Sequence, residues 1–403
     1  MPSTASTAVT LPLSGPSTMS LIYLDHHATT PCDPVVLEAM LPFFQGQFGN
    51  PSSPHFAGAR TADAVQQARE QVAELVGAQP GEVIFTSGAT ESNNLALLGY
   101  ARAARATNPR RRIVISSIEH KAVTNPAKQL AREGFEIVVL PVDSQGTIDL
   151  AAAREAINDQ TLLVSVHSAN GEVGTIQPIA KLAELAHAVG ARLHTDAAQA
   201  VGKIPVDVLT WGVDMLSISG HKLYGPQGIG ALIVHQPRRT QLEPLSYGGG
   251  QERSWRSGTL NVPGIVGLGA ACARCQELLP TESVRLATLR DEFEGAVINA
   301  VPNAYRNGNP ALRLPHNSSL TFPGIEADAL LARLPIIALS TGSACDSGTI
   351  EPSTTLLSIG LSRDHARATV RVGLGRFNNS TELDYASTLF VDQINAVLSM
   401  LGV

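Results

Sequence analysis

Seven short apolar runs alternate with stretches of helical periodicity between residues 83 and 234, and this alternation constrains the fold more than any other feature of the chain. Each run is nearly continuous in apolar residues, which is typical of strands buried on both faces of a sheet. We predict strands at Val83–Thr86, Ile113–Ser116, Glu136–Leu140, Leu162–Val166, Ala191–Thr195, Val213–Ser219 and Gly230–Val234. The predicted helices between them include Glu91–Ala104, Lys121–Glu133, Ala151–Ile157 and Ile179–Val189. The pattern predicts an α/β fold with a mainly parallel seven-stranded sheet covered on both faces.

The pattern changes near residue 264, where strands and helices stop alternating. In this region we predict two successive helices, two strands and a terminal helix, at Gly264–Leu279, Glu282–Val301, Ser318–Phe322, Ala368–Val372 and Thr381–Leu401. Because the mixture indicates an α+β arrangement, we assign residues 36–274 to a large domain and residues 19–35 and 275–403 to a smaller one. The apolar strand at Leu21–Leu24 is expected to dock on the smaller domain.

Residues 1–18 are rich in Ser, Thr and Pro and contain no charged side chain. That composition fits neither a secretory signal, which needs a basic start, nor an Arg-rich transit peptide. We expect a disordered tail, with Met19 as an alternative start of the chain.

The composition argues against several classes of protein. The formal net charge is −6, so no overall field favours nucleic acid, and no direct nucleic-acid binding is expected. No apolar run approaches the roughly 18 residues of a membrane span. Four cysteines are too few for a disulfide scaffold, and we expect a reducing compartment, the cytoplasm. Cys272 and Cys275 lie in a predicted helix with no second pair nearby, so core packing is favoured over a metal site.

A lysine and a carboxylate follow two neighbouring predicted strands. Lys222 comes just after the run that ends at Ser219, and Asp196 directly follows the run Ala191–Thr195. Ligand sites of open α/β sheets form outside the carboxyl ends of the strands. This pairing is what pyridoxal phosphate (PLP) needs, since the lysine forms its Schiff base and the carboxylate partners its pyridinium nitrogen.

Other residues near the predicted strand ends could complete a PLP site. Ala89 and Thr90 open a helix whose positive end suits a phosphate, although a simple helix cap explains the same residues. Further candidate phosphate donors are Ser219 and His221, and Gln199 is placed to hydrogen-bond the phenolic oxygen of the ring. His120 follows another strand and is a candidate for ring stacking or proton transfer, the alternative being a structural role.

Two residues in the C-terminal part, a cysteine and an arginine, are further candidates for a functional site. Cys345 lies among small polar residues, which indicates an exposed loop and a reactive thiol, or else an incidental surface cysteine. Arg371 interrupts an apolar strand with a guanidinium that matches a substrate carboxylate, or else forms a structural ion pair. For Arg376 the structural ion pair is preferred.

Taken together, these motifs resemble the cysteine desulfurases, PLP enzymes of the class V aminotransferase fold. The resemblance runs from about Ile22 to Val391, and the Gly-Ser-Ala-Cys loop is similar to that of the branch supplying sulfur for iron–sulfur clusters and thiolation. The matching stretches are Tyr23–Pro31, Phe85–Asn94, Glu119–Val123, His194–Gln199, Ser217–Gly230, Arg256–Thr259, Ser340–Pro352 and Arg371–Phe377. It implies a PLP-dependent transferase fold, like that of aspartate aminotransferase, with the cysteine loop on the smaller domain.

The resemblance also implies a mechanism. L-Cysteine displaces Lys222 from PLP while Arg371 holds its carboxylate, and Lys222 and His120 move protons at Cα and on the sulfur. Cys345 attacks the substrate sulfur, which leaves an enzyme persulfide and alanine, and the persulfide then reaches a sulfur-acceptor protein. Thr259 would donate to the phosphate of the neighbouring subunit's PLP, which implies a homodimer.

The chain departs from the family at one position. The family commonly has Asn-Asn-Glu where this chain has Asn170-Gly171-Glu172. Either Asn170 replaces the missing asparagine as a substrate ligand, or one hydrogen bond is absent, which would weaken substrate binding by about 1–3 kcal/mol.

Three other interpretations remain open at this point. A selenocysteine lyase shares the scaffold and the PLP residues, and an aminotransferase of the same fold would leave Cys345 incidental. A non-catalytic scaffold is the third, and the intact Lys222, Asp196 and Gln199 argue against it.

Overall fold

The structure, a computed structural model, describes residues 21–236, 239–341 and 351–401. Its strands are β1 Ile22–Tyr23, β2 Val83–Thr86, β3 Arg112–Ser116, β4 Glu136–Leu140, β5 Thr161–Ser165, β6 Arg192–Asp196, β7 Met215–Ser219, β8 Gly230–Val234, β9 Tyr305–Arg306, β10 Asn317–Thr321, β11 Ile337–Ala338, β12 Ser340–Thr341 and β13 Thr369–Gly373. Its α-helices are α1 Pro34–Phe44, α2 Phe56–Leu75, α3 Ala89–Asn94, α4 Tyr100–Ala104, α5 Lys121–Arg132, α6 Leu150–Ala156, α7 Ile179–Ala188, α8 Val208–Trp211, α9 Val262–Ala300, α10 Ala327–Leu331, α11 Thr354–Ser358, α12 Arg363–Arg367 and α13 Ser380–Leu401. A π-helical segment, Leu95–Gly99, joins α3 to α4.

The large sheet has the strand order β2-β8-β7-β6-β5-β3-β4. Strand β8 is antiparallel to both of its neighbours, and the other pairs are parallel. Successive residues of a strand point to opposite faces, so Met215 packs in one hydrophobic cluster and Leu216 in another, both fully buried. The prediction of a mainly parallel seven-stranded sheet covered on both faces is confirmed.

A second, smaller sheet is antiparallel and has the strand order β12-β13-β10-β9. Strand β1 pairs in parallel with β11, with Ile22 opposite Ile337, so the predicted docking of the N-terminal strand is confirmed. Leu24 then packs in the same hydrophobic cluster as Phe322 and Phe390. The domain boundaries at residues 36–274, and the disordered tail at 1–18, stay predictions; the tail lies outside the described residues.

A single helix of 39 residues, α9, connects the two parts of the molecule. The prediction of two helices, at Gly264–Leu279 and Glu282–Val301, was wrong because Pro280 lies inside the continuous helix. Proline removes one helical hydrogen bond and costs about 3 kcal/mol in a helix interior. Burial of Leu268 on one side of Pro280 and of Phe293 on the other anchors both halves in separate cores, which offsets that cost.

Cys272 and Cys275 are free and fully buried in α9, which confirms their predicted packing role. Within the described ranges, no group of three or more His, Cys, Asp or Glu residues is arranged to hold a metal ion. No α-helix among the same residues has the length and hydrophobicity needed to cross a bilayer.

Candidate active site

A cavity of about 570 Å³ lies at the carboxyl ends of the parallel strands. Its walls include ten of the residues predicted from sequence: Ala89, Thr90, His120, Asn170, Asp196, Gln199, Ser219, His221, Lys222 and Arg371. Thr259 is exposed and lies outside this lining, and Cys345 lies outside the described residues. Most of these residues meet because parallel strands deliver their carboxyl ends to the same edge of the sheet. Arg371 reaches the same cavity from β13 of the other sheet.

Lys222 is placed by a short turn directly after β7. A 3-10 turn at Gly220–Lys222 follows the strand, so the side chain leaves the sheet at its carboxyl edge. Its Nζ donates hydrogen bonds to the carbonyl oxygens of His27 and, at 2.8 Å, Ala28. Main-chain oxygens from the N-terminal segment thus hold the amine at the cavity wall.

Asp196 ends β6 and is 8% exposed. Its Oδ2 accepts a hydrogen bond of 2.6 Å from the Nδ2 of Asn93, and its Oδ1 accepts one of 3.0 Å from the backbone N–H of Ala198. These bonds fix the carboxylate in orientation beside the cavity, where it is placed to accept a hydrogen bond from a cationic ring. Asn93 was missed by the sequence analysis, although it lies within the motif that contains Ala89 and Thr90.

The turn between β2 and α3 forms another wall. Gly88 has φ 148° and ψ 179°, a conformation that side-chain-bearing residues rarely adopt, and it precedes the helix that starts at Ala89. A Cβ on Gly230 would lie 2.6 Å from the Gly88 Cα, so two glycines bring β8 and this turn together. Backbone N–H groups at such a helix start suit a phosphate. The N-cap, Gly88, makes no side-chain cap hydrogen bond, and Glu91 instead accepts a 2.7 Å hydrogen bond from the N–H of Ser87, the residue before Gly88.

His221 and His120 are both oriented by hydrogen bonds. The Nδ1 of His221 lies 3.0 Å from the Thr29 hydroxyl, and burial, aided by the charge of Lys222, lowers the pKa of His221 to about 4. His120 caps α5, where its Nδ1 accepts a hydrogen bond of 3.1 Å from the Ala122 N–H. Because Nδ1 is an acceptor, the proton of the neutral ring lies on Nε2.

Behind His120 lies a buried pair that the sequence analysis did not find. The Glu119 carboxylate accepts hydrogen bonds of 3.0 Å from the His167 N–H and lies 3.5 Å from its Nδ1. Burial alone would lower the pKa of His167, but the charge of Glu119 outweighs it and raises that pKa. His167 borders the cavity, and the charge of Asp196 also raises its pKa.

Asn170 and Gly171 lie next to each other at the wall. The Asn170 Oδ1 accepts hydrogen bonds from the N–H groups of Glu172 at 2.8 Å and Val173 at 3.0 Å, and its Nδ2 donates to the Ile118 carbonyl at 3.3 Å. Its carboxamide thus stabilises a turn. The predicted substrate role of Asn170 stays a prediction.

Arg371 projects from β13 and is 6% exposed. Its Nη2 donates to the Asp25 carboxylate at 2.9 Å and its Nη1 to the Gly171 carbonyl at 3.2 Å. Its Nε is buried with no hydrogen-bond partner among the described residues. Arg376, by contrast, forms ion pairs with Asp33 and Glu282, as predicted.

The fold and this cavity define a class of enzyme. A model of the aminotransferase class V family matches residues 22–386, so the chain belongs to that family. The mitochondrial cysteine desulfurase of Arthroderma benhamiae is 47% identical over 365 residues, covering 90% of this chain and 72% of that protein. A solved NifS-like protein has a TM-score of 0.86 and 35% identity, covering 94% of this chain and 100% of that one.

A third similar protein, SspA solved in complex with cysteine, has a TM-score of 0.79 and 39% identity, covering 88% of this chain and 98% of that one. Within the class V aminotransferases, the chain belongs to the cysteine desulfurases. The resemblance and the fold class predicted from sequence are confirmed.

Enzymes of this family depend on PLP, and the residues at the cavity fit that cofactor. The cavity presents an amine at Lys222 and an oriented carboxylate at Asp196. It also has a glycine-containing helix start at Gly88 with the Ser219 hydroxyl beside it. Its volume of about 570 Å³ lies within the range of small-molecule sites.

Proposed function

We propose that this chain is a cysteine desulfurase that converts L-cysteine to L-alanine and transfers the sulfur to Cys345 as a persulfide. The observation that carries the proposal is the meeting of Lys222, Asp196 and Arg371 at one cavity. An amine, an oriented carboxylate and a guanidinium suit an amino acid bound to PLP better than they suit other ligands.

PLP is the proposed cofactor, and eight residues of the cavity have an assigned contact to it. Asp196 would hold the pyridinium nitrogen, Gln199 the phenolic oxygen, and Lys222 the aldehyde carbon, with His120 stacked on the ring. The phosphate would be held by Ala89, Thr90, Ser219 and His221. When bound, PLP supplies an electron sink that makes bonds at the substrate Cα and Cβ easier to break.

The protein residues bind the substrate and move its protons. Arg371 donates to Asp25 and to the Gly171 carbonyl, and these bonds do not use all of its N–H groups. The remaining N–H groups would bind the carboxylate of cysteine. Lys222 would take the Cα proton, and His120 the thiol proton. Asn170 remains a proposed contact to the substrate carboxylate.

The sulfur transfer itself is assigned to Cys345. Its thiolate attacks the substrate sulfur, so that an S–S bond forms as the substrate C–S bond breaks and leaves its electron pair with the carbon fragment. Protonation at Cβ and return of the Cα proton from Lys222 then yield alanine. The persulfide would then pass to a sulfur-acceptor protein. We place the enzyme in a reducing compartment, the cytoplasm, in keeping with three free cysteines among the described residues.

A homodimer is proposed on the position of Thr259. This residue is exposed, and the neighbouring Arg256 pairs with Glu91 of α3 at 3.1 Å, next to the proposed phosphate site. Because Thr259 is exposed, it is available to donate to the phosphate of a second chain's cofactor.

The first experiment measures sulfide and alanine released from L-cysteine by the PLP-loaded protein with a thiol reductant. We expect equal amounts of both products, abolished by Cys345→Ala and preserved by the control Cys32→Ala, since partly buried Cys32 lies outside the cavity lining. Undiminished release from Cys345→Ala would contradict the persulfide step. Release from selenocysteine but not from cysteine would indicate a lyase instead.

A further inference from the structure

The carboxamide of Gln199 lies between His27 and Gly171, to which the proposed mechanism assigns no contact with cofactor or substrate. Its Oε1 lies 3.1 Å from the His27 Nδ1, and its Nε2 donates a 3.1 Å hydrogen bond to the His27 carbonyl. A Cβ on Gly171 would lie 2.8 Å from that Nε2. Both neighbours therefore contact the same side-chain amide, which lines the cavity.

The orientation of the amide follows from its partners. A backbone carbonyl only accepts hydrogen bonds, so the nitrogen of Gln199 must face the His27 carbonyl and the oxygen must face the His27 ring. The His27 Nδ1 must then carry a hydrogen. One hydrogen of Nε2 is used by the His27 carbonyl, which leaves the second for a ligand in the cavity.

The other side of the His27 ring fixes the same tautomer independently. The Nδ2 of Asn317 donates to the Glu172 carbonyl at 3.1 Å, so it is the amide nitrogen that lies 3.0 Å from the His27 Nε2. Nε2 is therefore an acceptor, and the ring is neutral with its hydrogen on Nδ1. Burial, followed by the charge of Arg371, lowers the pKa of His27 well below its usual value, in agreement with a neutral ring.

Gly171 supplies the space that this orientation needs. A Cβ there would lie 2.8, 3.0 and 3.2 Å from three side-chain atoms of Gln199, closer than ordinary van der Waals contacts. A side chain at position 171 would require the Gln199 carboxamide to shift from the position seen here. Glycine at position 171 therefore leaves room for the Gln199 carboxamide in the position fixed by its hydrogen bonds to His27.

We propose that His27 and Gly171 form a positioning pair that fixes the Gln199 amide with its second N–H toward the phenolic oxygen of PLP. This inference rests on the proposed function. His27 acts through Gln199 and touches neither substrate nor cofactor in this role.

Two substitutions of His27 test the proposal. Asparagine places an amide nitrogen near the position of Nδ1, whereas glutamine places one near Nε2, so only His27→Asn keeps a donor to Gln199. The measurements are the visible absorbance of PLP-loaded protein against pH, the PLP affinity of the apoprotein and its melting temperature. We expect His27→Gln to raise the pH midpoint of the absorbance change by about one unit and lower kcat/KM about tenfold, with His27→Asn close to the unmodified protein.

Gly171→Ala provides a second route if His27→Gln does not fold. We expect it to shift the absorbance in the same direction, and the double variant with His27→Gln to shift it no further than either single change. Equal shifts in His27→Gln and His27→Asn, or no shift in Gly171→Ala, would overturn the pair while leaving the desulfurase proposal intact. Failure of the unmodified protein to bind PLP would overturn both.

Discussion

Two regions of the molecule each contain a buried or half-buried lysine and a buried arginine, but they use these cations differently. The first, the Tyr224 stack, holds the Lys203 Nζ 4.0 Å and the Arg376 Cζ 4.1 Å from the centroid of the Tyr224 ring. The second, the cavity pair, consists of Lys222 and Arg371 at the wall of the active-site cavity. The stack lies outside that lining.

The partners of the two arginines explain the difference. Arg376 donates to two carboxylates, Asp33 at 2.6 Å and Glu282 at 2.8 Å. Arg371 has one carboxylate, Asp25, and one carbonyl, and it borders a cavity of substrate size. The two carboxylates beside Arg376 neutralise its guanidinium, so we assign it a structural role. Arg371 has one carboxylate partner and faces an open cavity, so its guanidinium can still bind an anion.

Exchange of each arginine for glutamine should separate these roles. Arg376→Gln leaves two buried carboxylates without their cation, so we expect the free energy of unfolding to fall by about 3–5 kcal/mol. Arg371→Gln is expected to raise the KM for cysteine by about 10–100-fold, because the charge-assisted hydrogen bonds to the substrate carboxylate are lost. Its loss of stability should be smaller than that of Arg376→Gln. Urea unfolding and steady-state kinetics measure the two effects. An unchanged KM in Arg371→Gln would remove the distinction between the regions.

A smaller effect should distinguish Lys203. Burial lowers its pKa to about 8, below the ordinary 10.5. At pH 7 the folded protein must hold a charge that burial disfavours, and this penalty disappears as the pH rises from about 8 to above 10, where the unfolded chain also loses the proton. We expect Lys203→Met to raise the free energy of unfolding by about 1–3 kcal/mol at pH 7, because the contact with Tyr224 offsets part of the penalty.

The measurement is urea unfolding of both proteins at pH 7 and near pH 10. The advantage of Lys203→Met should shrink at the higher pH. A variant less stable than the unmodified protein at pH 7 would show that the cation–π contact stabilises Lys203 by more than its burial costs.

The positions of Lys222 and Asp196 could be predicted from sequence because each follows an apolar run that ends at a definite residue. Local pattern was sufficient there, since parallel strands bring their carboxyl ends together. The contact of His27 with Gln199 could not be predicted, because it joins residues 172 positions apart through a docked strand. Helix α9 was divided wrongly at Pro280, since local propensity does not report the cores that anchor its two halves.

The most direct test of the active-site assignment is to trap the lysine that binds PLP. The loaded protein is reduced with borohydride and digested, and the modified peptide is identified by mass spectrometry. The modification is predicted on Lys222 in the unmodified protein and in Lys203→Met, and it should be absent from Lys222→Ala. Modification of Lys203, or an undiminished adduct in Lys222→Ala, would contradict the assignment.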